Sequence, residues 1–221
     1  MAVVNEIVVA SLIVTGTAFQ ADPDVKKLEA ACAWHLSNFE AGGPDYCEIA
    51  RQLARDKKWD SIQVVFARGR CNKFQAELAR EIVSVSSGAD AVMFLKTLTE
   101  GSRAWHLGAL HVPKNPDAAV SAYLKEVVRD KGPEARATCY AVCQERKWPD
   151  LLEQARTDSM STERYSLDAG FKVWSFALAD AAKSYRVELG DLPKDTPITR
   201  PQVRSLVPPR LPGQPLFPPS K

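Results

Sequence analysis

The chain has 221 residues, 45% of them hydrophobic and 25% charged, enough to bury a core as one domain or as a short array of repeats. Its net charge of +2 is uneven: residues 190–221 carry five Lys/Arg against two Asp, which leaves the body at −1. A near-neutral body lacks the electrostatic footprint of a protein that neutralises many phosphates.

Fifteen prolines are just as uneven, with nine of them after Gly190. The chain therefore reads as three segments: an apolar stretch over 1–21, a helical-repeat domain over 22–189 and a proline-rich extended or disordered tail over 190–221. In the first, "EIVVASLIVTGTAF" gives an apolar run of 13 residues from Ile7 to Phe19, with Gly16 and Ala18 spaced like a secretory cleavage site. The residues before it hold Glu6 and no Lys or Arg, and the run is shorter than the ~20 residues a bilayer span needs. No transmembrane span is expected. The preferred reading is a buried helix or strand tucked against the array, in the cytosol or an organelle such as the mitochondrion. A cleaved signal and the secretory pathway are the alternative, and peripheral membrane association stays open.

Five cysteines, Cys32, Cys47, Cys71, Cys139 and Cys143, are an odd number and cannot all pair. They read as free, small buried apolar residues. His35, His106 and His111 complete no zinc cluster with them, so neither metal nor cofactor is expected.

From Asp22 onward the apolar period is helical. Val25, Leu28, Cys32, Leu36 and Phe39 recur at three and four, and Tyr46, Ile49, Ala50 and Leu53 start a second stripe after "AGGPDY". "KKW" at 57–59 closes that helix and Asp60 opens a partner carrying Ile62, Val65 and Phe66. Phe74, Leu78 and Ile82 follow, then Val92, Leu95 and Leu98. In "KNPDAAVSAYLKEVVRDKGPE" Asn115 can cap, Pro116 fits the first helical position, and Gly132 supplies the stop. Cys139, Tyr140 and Cys143 lead up to Lys147-Trp148. After "TDSMST" the stripe Leu167, Phe171, Trp174, Leu178, Ala181 and Tyr185 predicts the longest helix of the chain, and no convincing strand is expected.

Four of the five tryptophans lie in duplicated phrases. "AWHL" at Trp34 and Trp105 repeats after 71 residues, and the Lys-Trp phrase at Trp59 and Trp148 after 89. A large aromatic just past a polar helix end can wedge between antiparallel helices, so the four tryptophans are read as structural hinges, with Trp59 and Trp148 buried between consecutive helices. If the "AWHL" phrases are equivalent, His35 and His106 face a shared groove; a satisfied histidine at the core margin is the commoner outcome.

"LARDKKWDSIQVVFARG" and "YAVCQERKWPDLLEQARTDSM" resemble the helix-to-helix corner of tetratricopeptide and, more closely, pentatricopeptide repeats. The resemblance covers two corners and departs from both families in lacking a regular period of about 34 or 35 residues. It implies an all-α, irregular antiparallel array of helical hairpins, α-solenoid-like, and for the pentatricopeptide case RNA as a ligand.

The tail lacks too many amide donors for a helix or central strand. Its apolar Leu206, Val207, Leu211, Leu216 and Phe217 are read as a partner-binding arm. There is no phosphate loop, no GxSxG and no HExxH. The expected function is thus a non-catalytic scaffold or accessory subunit that binds other protein subunits. An RNA-binding helical repeat and an exported helical protein are the alternatives.

Overall fold

The computed structural model describes residues 22–38, 42–115, 117–168 and 173–198. The apolar amino-terminal segment, Phe39, Phe171 and the arm residues Leu206, Val207, Leu211, Leu216 and Phe217 lie outside the described residues. The described residues are mostly helical. They form α1 (Pro23–Ser37), α2 (Tyr46–Arg55), α3 (Trp59–Arg68), a 3-10 turn (Asn72–Phe74), α4 (Gln75–Val85), α5 (Gly88–Leu95) and α6 (Arg103–Leu110). Then come α7 (Ala118–Asp130), α8 (Pro133–Arg146), α9 (Leu152–Asp158), β1 (Arg164–Asp168), β2 (Val173–Ala177) and α10 (Leu178–Glu188). None of these helices is long and apolar enough to cross a membrane.

Local chemistry sets the helix starts. Asp22 caps α1 by accepting from the Asp24 amide at 3.0 Å, Asp45 caps α2 through the Glu48 amide at 3.0 Å, and Ser87 and Ser102 cap α5 and α6. The cap of α7 is Asp117 and not Asn115: its carboxylate takes the amides of both Ala119 and Val120. Gly132 likewise opens α8, with Pro133 in its first turn, and Lys131 is the residue that ends α7. An aspartate two residues closer to the helix reaches both free amides, which an asparagine at 115 does not.

The helices are short, and the even-numbered ones stack on one another. α2 packs on α4, α4 on α6, α6 on α8 and α8 on α10. A second row runs through α3, α5 and α7, joined by the edge-to-face pair Phe66 and Phe94 and by the Lys96–Glu126 ion pair. The core includes Leu28, Ile62, Leu78, Ile82, Leu95, Leu124, Tyr140 and Tyr185, all essentially inaccessible. The two rows meet tightly at α6, where a Cβ on Gly108 would stand 2.9 Å from Leu95 Cδ2.

The two Lys-Trp phrases fold into the same backbone ring. In each a lysine is left-handed, Lys57 at φ 55° and Lys147 at φ 58°, and these are the only non-glycine residues with positive φ among those described. The Lys57 amide returns to the Ala54 carbonyl at 3.1 Å and the Lys58 amide to Leu53 at 2.9 Å. At the second corner Lys147 returns to Gln144 at 3.2 Å and Trp148 to Cys143 at 2.9 Å. This double closure is the Schellman motif, with lysine where glycine is usual. The tryptophans are offset by one residue within it. Trp148 closes the ring itself and is 6% exposed, whereas Trp59 follows the ring, opens α3 and is half-buried. The expected enclosure of Trp59 is corrected on that ground.

The "AWHL" phrases are not equivalent. Trp34 sits in the last turn of α1 and is half-buried; Trp105 sits in the first turn of α6 and is fully buried. The two histidines share no groove: His106 is buried against Thr138 and Glu134, whereas half-buried His35 contacts Pro44 and Tyr46.

Where a helix was predicted over Leu167 and Trp174, the described residues form two antiparallel strands, β1 and β2. Tyr165 pairs with Phe176 and Leu167 with Trp174 across antiparallel strands, and only Leu178, Ala181 and Tyr185 of the predicted stripe share a helix, α10. The stretch alternates polar and apolar at period two on either side of Ala169-Gly170, and steps of four and three coincide with that alternation by chance.

Two substitutions test these features. Lys147→Gly removes the cost of left-handed backbone and should stabilise the chain by about 0.5–1 kcal/mol after the extra entropy glycine brings to the unfolded state, a rise in Tm of ~2–4 °C. Gly108→Val should cost about 2–3 kcal/mol by overpacking the seam, against a helix-propensity gain below ~1 kcal/mol. Both are read by thermal and urea unfolding.

Candidate binding cleft

Four helix ends meet at one concavity. Ser84 comes from the end of α4, Leu110 and His111 from the end of α6, Gln144, Glu145 and Arg146 from the end of α8, and Glu188 from the end of α10. Val112, Pro113 and Lys114, in the link to α7, complete a cleft of about 880 Å³. That falls within the range of ligand sites, ~300–1,000 Å³, and is ample for several residues of an extended peptide.

Arg146 forms its inner wall. Its side chain is 4% exposed. One Nη2 donates to the Leu110 carbonyl at 3.0 Å and the Val112 carbonyl at 2.6 Å, and Nη1 reaches its own helix at Val142. The guanidinium thus satisfies carbonyls at the end of a neighbouring helix, where the intrahelical partners have run out. Its Nε is buried without an acceptor, and a carboxylate oxygen of exposed Glu145 stands 3.8 Å from Nη1. Burial pulls the guanidinium below its ordinary pKa. The ring of Trp148 lies under it at 5.8 Å, so the second Lys-Trp corner supports this wall from behind.

The outer wall carries the exposed polar groups of the cleft. His111 Nδ1 donates to the Leu107 carbonyl at 2.8 Å, which leaves Nε2 as the acceptor of the neutral ring. Lys114, also lining the cleft, is exposed. So are Glu145 and Glu188. A ligand in the cleft would therefore meet both a cation and carboxylates, a pattern suited to a mixed-charge peptide.

None of the four sequence-selected tryptophans lines the cleft. Trp105 is tied to Tyr123 by its indole N–H at 2.8 Å, and the neighbouring His106 is satisfied in the core, with Nδ1 at 2.7 Å from the Thr138 hydroxyl and Nε2 at 2.9 Å from the Glu134 carboxylate. Arg146 escaped sequence reading because a cation in the last turn of a helix looks like ordinary solvated charge. The carbonyls that it serves lie 34 and 36 residues earlier.

The chain matches no protein-family model, no curated protein and no solved structure.

Arg146→Met leaves two carbonyls without donors and should destabilise the chain by about 2–4 kcal/mol, while Arg146→Lys should lose roughly half as much, because a point charge cannot span both acceptors. Urea unfolding of the three proteins checks the order.

Proposed function

We propose that the chain is a non-catalytic scaffold or accessory subunit, an irregular array of helical hairpins that holds a segment of another protein in the cleft between its helix ends. The observation that carries this reading is the skip-one packing of α2, α4, α6, α8 and α10, with the carboxyl ends of the last four bordering one cleft. Stacked helical pairs of this kind expose continuous concave surfaces that receive partner segments. The mixed charge of the lips favours a peptide over a phosphate backbone, which supports a protein partner ahead of RNA. The proline-rich tail serves as a second arm in the same assembly.

A photo-crosslinking residue placed at Ser84 or at Glu188 should yield one discrete protein adduct in cells, and the same residue at exposed Lys26 in α1 should not. Absence of adducts from both cleft positions would remove the cleft from the reading.

A further inference from the structure

A second surface lies at the other end of the chain of helix contacts. At the end of α1, Trp34 lies on the Gly43 backbone so closely that a Cβ there would stand 1.9 Å from its ring. Edge-to-face contacts run from Trp34 to His35 at 4.9 Å and from His35 to Tyr46 at 5.1 Å, and a tilted one from Tyr46 to Phe74 at 4.7 Å. His35 Nε2 donates to the Pro44 carbonyl at 2.9 Å, which fixes the loop beneath the ladder. All four rings are half-buried, so each presents an edge or face to solvent.

Beside the ladder is an acid with unspent capacity. Glu77 Oε2 is buried without a hydrogen-bond donor, and its other oxygen stands 3.8 Å from the exposed Arg103. Glu77 is close to Tyr46, whose phenol is pushed up to about 12 by burial first and by Cys47 and Glu77 after it. An aromatic ladder next to a carboxylate that lacks a donor matches one ligand chemistry: a polyproline-type segment, whose rings stack on aromatics, carrying an arginine for the acid.

The sequence holds such a segment. Residues 199–221 contain seven prolines, Arg200, Arg204, Arg210 and Lys221, and no Asp or Glu. We propose that the ladder Trp34, His35, Tyr46 and Phe74, with Glu77 beside it, docks the proline-rich segment 199–221 of a second copy of the chain. The inference rests on the scaffold reading, to which it adds a named partner, and it does not depend on the cleft.

A second copy is favoured by the order of contacts. α1 packs on α2 and α3, whereas α10, which leads into the tail, packs on α8, α9 and β2. Four helix-to-helix steps of ~8–10 Å separate α10 from α2, and at ~3.1 Å per residue about a dozen tail residues would be spent crossing them within one molecule. A neighbour's tail need not cross those helices. The contact is then heterologous, head to tail.

The test uses the full chain. Sedimentation equilibrium should show concentration-dependent self-association, weakened at least about tenfold by Trp34→Ala, by Glu77→Gln or by Arg204→Glu with Arg210→Glu. The Trp34 indole N–H resonance should move with protein concentration and on adding a synthetic peptide of residues 199–221. A Trp34→Ala chain mixed with the Arg204→Glu, Arg210→Glu chain should form pairs and nothing longer, since one supplies only a tail and the other only a ladder. The proposal is overturned by a monomer at every concentration whose Trp34 signal ignores the peptide. It is equally overturned by tail substitutions that move Trp34 independently of concentration, which means docking within one molecule, or by a Trp34 signal that responds only to changes in residues 1–21. Circular dichroism separates these outcomes from misfolding, and cleft crosslinks from Ser84 or Glu188 that survive Trp34→Ala separate them from failure of the scaffold reading.

Discussion

An eight-residue helix enclosed on almost every side is the constraint on which the rest of this structure leans. In α6, Ala104 through Ala109 are all buried, and two of the six carry polar atoms. Those atoms cannot go unpartnered at such depth, since an unmade bond there costs about 1–3 kcal/mol. The Trp105 indole therefore fixes α7 through Tyr123, and the His106 ring fixes α8 through Thr138 and Glu134. Gly108 lets the row behind approach, and Arg146 closes the helix's open end. A helix too short to be stable alone is held by what surrounds it, and in being held it sets the distances of both rows.

How far the sequence foretold this depends on the range of each interaction. Helices with stripes inside a dozen residues were legible: Val25, Leu28 and Cys32 of α1, and Ala50 and Leu53 of α2, stand as read. The Lys-Trp corner was legible as a repeated unit, because its ring is built from consecutive residues. "AWHL" was not, since four residues do not encode the end of the helix on which they stand. The hairpin of β1 and β2 was lost to a coincidence of periods. Leu167 and Trp174 are seven apart, which serves a heptad and an antiparallel pair equally well.

The cleft was illegible for a different reason. Its inner wall depends on a guanidinium from α8 reaching carbonyls of α6, and its rim takes residues from α4 and α10 as well. Each of those residues has an ordinary local explanation, so no local signal marks any of them. The aromatic ladder is intermediate: Trp34, Tyr46 and Phe74 were each assigned to helical stripes or hinges, and only the loop at Gly43 brings their rings into one series.

The meeting of four carboxyl ends at one cleft has an electrical consequence. The last turns of α4, α6, α8 and α10 all border it, so four negative helix poles, each worth about half a charge, gather at that edge. Helix ends of alternating sign would cancel this field; four like ends accumulate it. A desolvated arginine whose carboxylate neighbour, Glu145, is exposed and 3.8 Å away is then in a favourable place, because the helix poles add to its counter-charge.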